Sequence, residues 1–286
     1  MKTIEFLRDY PELFWPPCLA ALCLAVLCSS LSVLVVLKRL AFIGQGISHA
    51  GFGGIGVAAV FGLAAADLSP AGILAQFGVV VAFCIASALS VGALSAGRGA
   101  GKTHEDTAIG IILVASMALG SLLVREYAPT FQWENFLFGY LMNTGKADAT
   151  VAGVIAASGT ATLWIVRRPL TFWAFDEPSA TAAGVASGRM RFVLMVLLGL
   201  ATVAAMRLAG VVLASALLVL PGATALKLST RLAHVLLWSL ITATLGVIAG
   251  LIVAFELNWP PGPGIVVSLC LMYAGATAWQ WSRRAW

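Results

Sequence analysis

Gly44-Gln45-Gly46-Ile47-Ser48-His49-Ala50-Gly51-Phe52-Gly53-Gly54 sits inside an apolar run from Ala41 to about Ala66. His49 is the only one of the chain's 3 histidines that lies well within a membrane-length run. Gln45 and His49 are four residues apart, so on a helix they share one face. A polar face in an apolar span is costly and marks either a pathway or a packed interior. Two readings of His49 stay open on the residues alone. It is a packing histidine that donates to a neighbouring carbonyl, or it is a metal ligand, since neutral imidazole binds zinc and related ions well. In the second reading Ser48 and Gln45 add weak oxygen contacts. Gly44, Gly46, Gly51, Gly53, Gly54 and Gly56 would let another helix or a substrate approach closely.

The rest of the chain is built like this run. Of its 286 residues 60% are hydrophobic and 10% charged, with mean hydropathy +0.98. A soluble domain carries roughly 25% charged residues, so most of this surface faces something other than water. The formal charge is +5, but the basic residues are dispersed among loops. That excludes nucleic-acid binding, which needs them clustered on one exposed face. Cys18, Cys23, Cys28, Cys84 and Cys270 lie in apolar runs without a Cys-x-x-Cys pair and read as small hydrophobes. The first apolar run, Trp15 to Leu37, exceeds the roughly 7–15 residues of a signal-peptide core and lacks a clear cleavage site, so it reads as a span.

Nine runs are long enough to cross a bilayer, near 16–37, 41–66, 70–96, 106–124, 147–166, 190–207, 209–228, 233–255 and 264–282. The expected fold is therefore all-α, a polytopic transmembrane bundle in one domain over 1–286. The basic residues set its orientation. With the N-terminus outside, Lys38, Arg39, Arg98, Lys102, Arg167, Arg168, Arg189, Arg191, Lys227, Arg231, Arg283 and Arg284 fall inside. Only Lys2, Arg8, Arg125, Lys146 and Arg207 then fall outside. The C-terminus is accordingly cytoplasmic. Arg207-Leu208 makes a very short outside turn, and the apolar Phe131–Asn143 segment is too short to cross, so it reads as a short or re-entrant piece packed on protein.

Between Arg167 and Arg191 lies the longest inside loop. In Phe175-Asp176-Glu177-Pro178-Ser179-Ala180-Thr181-Ala182-Ala183-Gly184-Val185, Asp176 and Pro178 suit a helix start and Gly184 a helix end. Local sequence leaves open a docking helix or an ordinary connection. Gly97-Arg98-Gly99-Ala100-Gly101-Lys102-Thr103 imitates a phosphate-binding loop, but the first glycine of that pattern falls at Ala96 and a membrane span precedes it instead of a strand. No nucleophile arrangement and no acid/base pair points to an enzyme. The carboxylates fall in loops or at span ends, whereas a proton-coupled carrier uses one at mid-membrane. The pattern favours a conduit driven by another subunit.

Several motifs then carry a resemblance to the membrane permease subunit of bacterial ATP-binding-cassette importers for zinc, manganese and iron. Ser48-His49-Ala50 resembles that family's Ser-His-Ala element. Glu105-Asp106-Thr107-Ala108-Ile109-Gly110-Ile111 is similar to its most specific signature, and Leu137-Phe138-Gly139 to its Leu-Phe-Gly element. Gly210-Val211-Val212-Leu213-Ala214-Ser215-Ala216-Leu217-Leu218-Val219-Leu220-Pro221 resembles a long run that ends in proline. Pro260-Pro261-Gly262-Pro263 resembles its outer loop. Phe175–Val185 is similar to the family's ATPase-coupling segment.

The resemblance implies a homodimer in the bacterial inner (cytoplasmic) membrane, two cytoplasmic ATPase subunits and an extracytoplasmic metal-binding protein. It implies no bound cofactor; the divalent metal is cargo. It assigns coupling to about 172–188, with Phe175, Asp176, Glu177, Ser179, Ala180, Ala183 and Gly184, and metal passage to His49, Gln45 and Ser48. Glu105, Asp106 and Pro221 are signature positions. Gln45 stands where the family commonly has Asp, and Phe52-Gly53-Gly54 replaces Leu-Pro-Gly. Loss of a carboxylate removes a hard ligand, which matters most for manganese, so zinc is the expected metal. Manganese, iron or a metal chelate through the same fold, and a channel or carrier without an ATPase, are the alternatives.

Overall fold

The computed structural model describes residues 11–63, 70–95, 105–129, 131, 136–137, 139 and 146–284. The 97–103 loop, Phe138 and the Arg98 and Lys102 charges lie outside these residues. Among the described residues the chain is helical and has no strand. In chain order the helices are α1 (Pro11–Leu37), α2 (Ile43–Val60), α3 (Pro70–Ser95), α4 (Glu105–Tyr127), α5 (Lys146–Phe175), α6 (Glu177–Ala182), α7 (Ser187–Leu217), α8 (Leu220–Leu228), α9 (Leu232–Leu257) and α10 (Pro261–Arg284). With no water inside a bilayer, a backbone must satisfy its own N–H and C=O groups, and a helix does so residue by residue.

Eight described segments are long and apolar enough to span, among them Trp15–Leu37, Ser187–Met206 and Ala209–Leu228. The chain is thus a multi-pass membrane protein. The expected segment 41–66 is the one that departs. Among its described residues the helix runs Ile43–Val60, 18 residues, or about 27 Å against the roughly 30 Å of a hydrocarbon core. Gln45, Ser48, His49 and the glycines dilute its hydropathy. The helix needs little, because protein surrounds it: Ile43, Ile47, Ala50, Phe52 and Ala58 are all buried.

Glycines decide how closely α2 is embraced. A Cβ on Gly46 would sit 2.7 Å from Ile109 Cγ2 of α4, and one on Gly51 2.6 Å from Met206 Sδ of α7. One on Gly120 would sit 2.8 Å from the backbone carbonyl carbon of Phe52. Two helices, α4 and α7, therefore press closely on α2, α4 at backbone distance at Gly120, which is the packing available where lipid offers no hydrophobic drive.

The helix written as α7 is broken at Gly210, whose φ of 82° and ψ of 168° leave the helical region. Neighbours show that the chain reverses there. A Cβ on Gly92 would touch the Arg191 side chain, one on Gly199 Ile85, one on Gly51 Met206, and one on Gly44 Leu218. Gly44 and Gly92 lie at the same end of the antiparallel α2–α3 pair, so the chain climbs from Arg191 and comes back by Leu218. This is the tight turn expected near 207–208. The side chains of Arg207 and Leu208 are outside the described set. Phe131, Phe136 and Gly139 of the expected re-entrant piece pack on the bundle. Phe131 and Phe136 stack on Phe52 at 5.8 and 5.2 Å. A Cβ on Gly139 would meet Ala209 at 2.4 Å.

Behind this group, α1 and α9 are tied by hydroxyls. Ser239 donates to the Ser29 carbonyl at 2.8 Å and lies 3.2 Å from the Ser32 hydroxyl. All three serines are buried, so each hydroxyl exchanges hydrogen bonds that lipid cannot supply.

α1 ends in a left-handed residue that is not glycine: Arg39 has φ 59°. The amides of Arg39 and Leu40 close the helix on the Val36 and Val35 carbonyls, which is the geometry that favours glycine at this position. Arg39→Gly is therefore expected to stabilise the fold by about 1 kcal/mol. A melting curve in detergent checks it, and a lower melting temperature would show that the Arg39 charge outweighs its backbone strain.

Candidate functional site

α2 carries the candidate passage site. Gln45 is exposed, His49 is half-buried one turn further on, and Phe52 is fully buried under its aromatic partners. The His49 Nδ1 is buried and makes no hydrogen bond. A nitrogen in that state has lost water without gaining a partner, and a buried imidazole normally has one. Ser48 is placed differently from Gln45 and His49. It is 0% exposed, and its hydroxyl donates to the Gly44 carbonyl at 2.7 Å. That bond occupies the proton and turns the oxygen along its own helix, while Gln45 and His49, four residues apart, lie on one face of α2. Among the described residues no three His, Cys, Asp or Glu side chains come together. One chain thus offers a single imidazole, with an amide on the same face.

The signature on α4 has a packing consequence. Ala108 and Ile109 are buried, with Ile109 filling the gap at Gly46 beside Gln45. Asp106 is exposed. Glu105 opens the helix, but its side chain is outside the described set. Pro221 is buried at the start of α8, where Gly222 lies on the Ser32 backbone.

The segment around 172–188 folds as the local sequence suggests. Asp176 caps α6: its carboxylate accepts from the Ser179 amide at 3.2 Å and from the Ser179 hydroxyl. The Ser179 hydroxyl and amide hold the Asp176 carboxyl below its ordinary value. Gly184 takes φ 87°, a left-handed turn that glycine adopts without strain. Ala180 is fully buried, whereas Phe175 is 59% exposed and Ser179, Ala183 and Gly184 are also exposed. One face of α6 is anchored and the other is presented.

Glu177 supplies the anchor, through partners that the sequence did not reveal. Its carboxylate meets Lys38 at 2.9 Å and Arg191 at 3.4 Å. The Lys38 ammonium also stands 3.7 Å from the centre of the buried Trp173 ring. In sequence Lys38 and Arg191 registered only as orientation charges, since no local pattern pairs residues 139 positions apart. Partial burial pushes the Glu177 carboxyl up, but the Lys38 hydrogen bond and charge, with the Arg191 charge, outweigh it and hold it below its ordinary value. A lowered folded-state value means that this stabilisation is present above the ordinary carboxylate range and is lost as pH falls through the folded-state value. Melting temperature against pH should therefore drop on acidification below the ordinary carboxylate range. Glu177→Gln should flatten that part of the curve; an unchanged curve would remove the ion pair from the account.

The fold is shared with solved transporters. It superposes on "PsaBC from Streptococcus pneumoniae in complex with Fab" with TM-score 0.80 and 23% identity, over 96% of this chain and 93% of that one. A transporter described as metal-chelate type, in an inward-facing conformation, matches with TM-score 0.69 and 20% identity over 92% of this chain and 85% of that one. At those identities the likeness concerns the fold. In sequence, the manganese transport system membrane protein MntC of Halalkalibacterium halodurans is 30% identical over 258 residues, 89% of this chain and 83% of that protein. The profile of the ABC 3 transport family matches residues 11–280, nearly the full span of the helices described above, and this chain belongs to that family.

Proposed function

We propose that this chain is the translocation subunit of an ATP-driven importer for a divalent transition metal, acting as a homodimer in the bacterial inner membrane. The observation that carries the proposal is His49, a half-buried imidazole whose Nδ1 has no hydrogen-bond partner. It shares a helix face with an exposed amide rather than a carboxylate. One imidazole per chain holds a cation weakly. A second copy placed against the Gln45–His49 face would add a second imidazole and still leave an ion free to move on. Orientation follows from the basic residues, with the Lys38–Glu177–Arg191 end in the cytoplasm. There the presented side of α6, with Phe175, Ser179, Ala183 and Gly184, receives the ATPase. A soluble metal-binding protein delivers cargo at the opposite face.

Donor chemistry favours zinc, because imidazole is the one strong ligand and the Gln45 amide is neutral. The manganese relative and the metal-chelate-type fold neighbour supply the competing cargoes. The test is uptake into vesicles holding the chain with its ATPase and binding protein. Nucleotide-dependent zinc uptake, resisted by excess manganese and by chelated metal, is the expected result. Equal uptake by the chain alone without nucleotide would replace the importer with a channel. Preference for manganese would overturn the zinc assignment and leave the importer standing.

A further inference from the structure

At the Lys38 end, away from α2 and α6, the end of α8 and the start of α9 meet the last turns of α10 around a cavity of about 330 Å³. Its polar lining is Lys227, Ser229, Thr230, Arg231, His234 and Gln280. No carboxylate lines it, and among the described residues neither Lys227 nor Arg231 has an ion-pair partner. Two cations, two hydroxyls and an amide converge without a counter-charge. No side chain caps α9, so its first amides add donors to the same opening. Like charges left together around a hollow need an anion.

The surroundings say where that anion comes from. Trp238, one turn beyond His234, is 41% exposed, and Trp279 and Trp281, on either side of Gln280, are 43% and 70% exposed. Half-exposed tryptophans at one level of a membrane protein mark the headgroup layer. Leu236 and Leu237, which follow His234, are exposed at 41% and 53% and give the surface beside the opening an apolar rim. The volume is at the low end of ligand pockets, which run from about 300 to 1,000 Å³. It suits a headgroup whose chains stay outside.

We propose that this cavity binds the phosphate of an anionic phospholipid headgroup, such as phosphatidylglycerol, held by Lys227 and Arg231 and hydrogen-bonded by Ser229, Thr230 and Gln280. The lipid bridges α8, α9 and α10 at the membrane face. The ligand is a bilayer component rather than free phosphate, because the tryptophan level and the leucine rim align the opening with the lipid surface.

The experiment measures binding of spin-labelled phosphatidylglycerol and phosphatidylcholine to the full-length chain in vesicles. Selectivity for the anionic lipid is expected. Lys227→Gln and Arg231→Gln should each lower it roughly fivefold, with unchanged melting, while Arg189→Gln, an exposed cation at the same end, leaves it unchanged. Equal binding of the two lipids by the unmodified chain would overturn the proposal without any variant. So would an equal loss with Arg189→Gln, which would indicate general surface charge. Displacement of the labelled lipid by millimolar inorganic phosphate would assign the site to a soluble anion instead and overturn the lipid.

Discussion

Replacing Gly120 by leucine is expected to part α2 from α4 and to leave no monodisperse, folded protein after extraction. A Cβ there would lie 2.6 Å from Phe52 Cδ1 and 2.8 Å from both the Phe52 carbonyl carbon and oxygen. The obstacle is backbone, so no rotamer change relieves it. Ordinary overpacking of a core costs about 1–3 kcal/mol, and this substitution adds helix separation to that. The same contact continues at Gly56, where a Cβ would lie 3.0 Å from Gly120 Cα. It also carries the stack of Phe52 on Phe131 and Phe136, so three elements lose their seat together. Gly110→Ala on the same helix is the control, since nothing lies within 4 Å of its Cβ position; it should elute and melt as the parent does. A folded Gly120→Leu protein would show that α2 and α4 do not meet as described.

His49→Ala should lower nucleotide-driven metal uptake by at least about tenfold, with little change in melting temperature. The stability half of that expectation rests on the Nδ1 having no partner to orphan. The activity half rests on the proposed passage role. His49→Cys separates the metals, because thiolate is a soft ligand that suits zinc and serves manganese poorly. Substantial zinc uptake retained by the cysteine variant and lost by His49→Gln would mark direct ligation. Unimpaired uptake by His49→Ala would leave His49 as a packing residue, the other reading of its sequence.

Particular elements show what local pattern reaches. The Asp176 cap, the short helix behind it and the left-handed Gly184 follow from the residue types at those positions, since a cap and a turn are settled within a few residues. The break near 207–210 was legible as a length limit between two apolar runs, although the residue that takes the unusual backbone is Gly210. The expected span at 41–66 was only partly right. A count of apolar residues treats every span as lipid-facing, and α2 is enclosed by protein. Ser48 illustrates the same limit: adjacency to His49 suggested a shared site, but a helix turns neighbours about 100° apart, and the hydroxyl went to its own backbone.

Membrane residence, a helical bundle and membership of a transport family were all readable from residue order. Transfer energy sums residue by residue along each run, and the signature residues can be read in order. The packed helices were needed to reveal that Glu177 is gripped by Lys38 and Arg191, that Gly120 lies on the Phe52 backbone, and that Lys227, Arg231 and Gln280 line one cavity. Those contacts join residues far apart in the chain. Which distant helix faces meet is fixed by how all the helices fill space together.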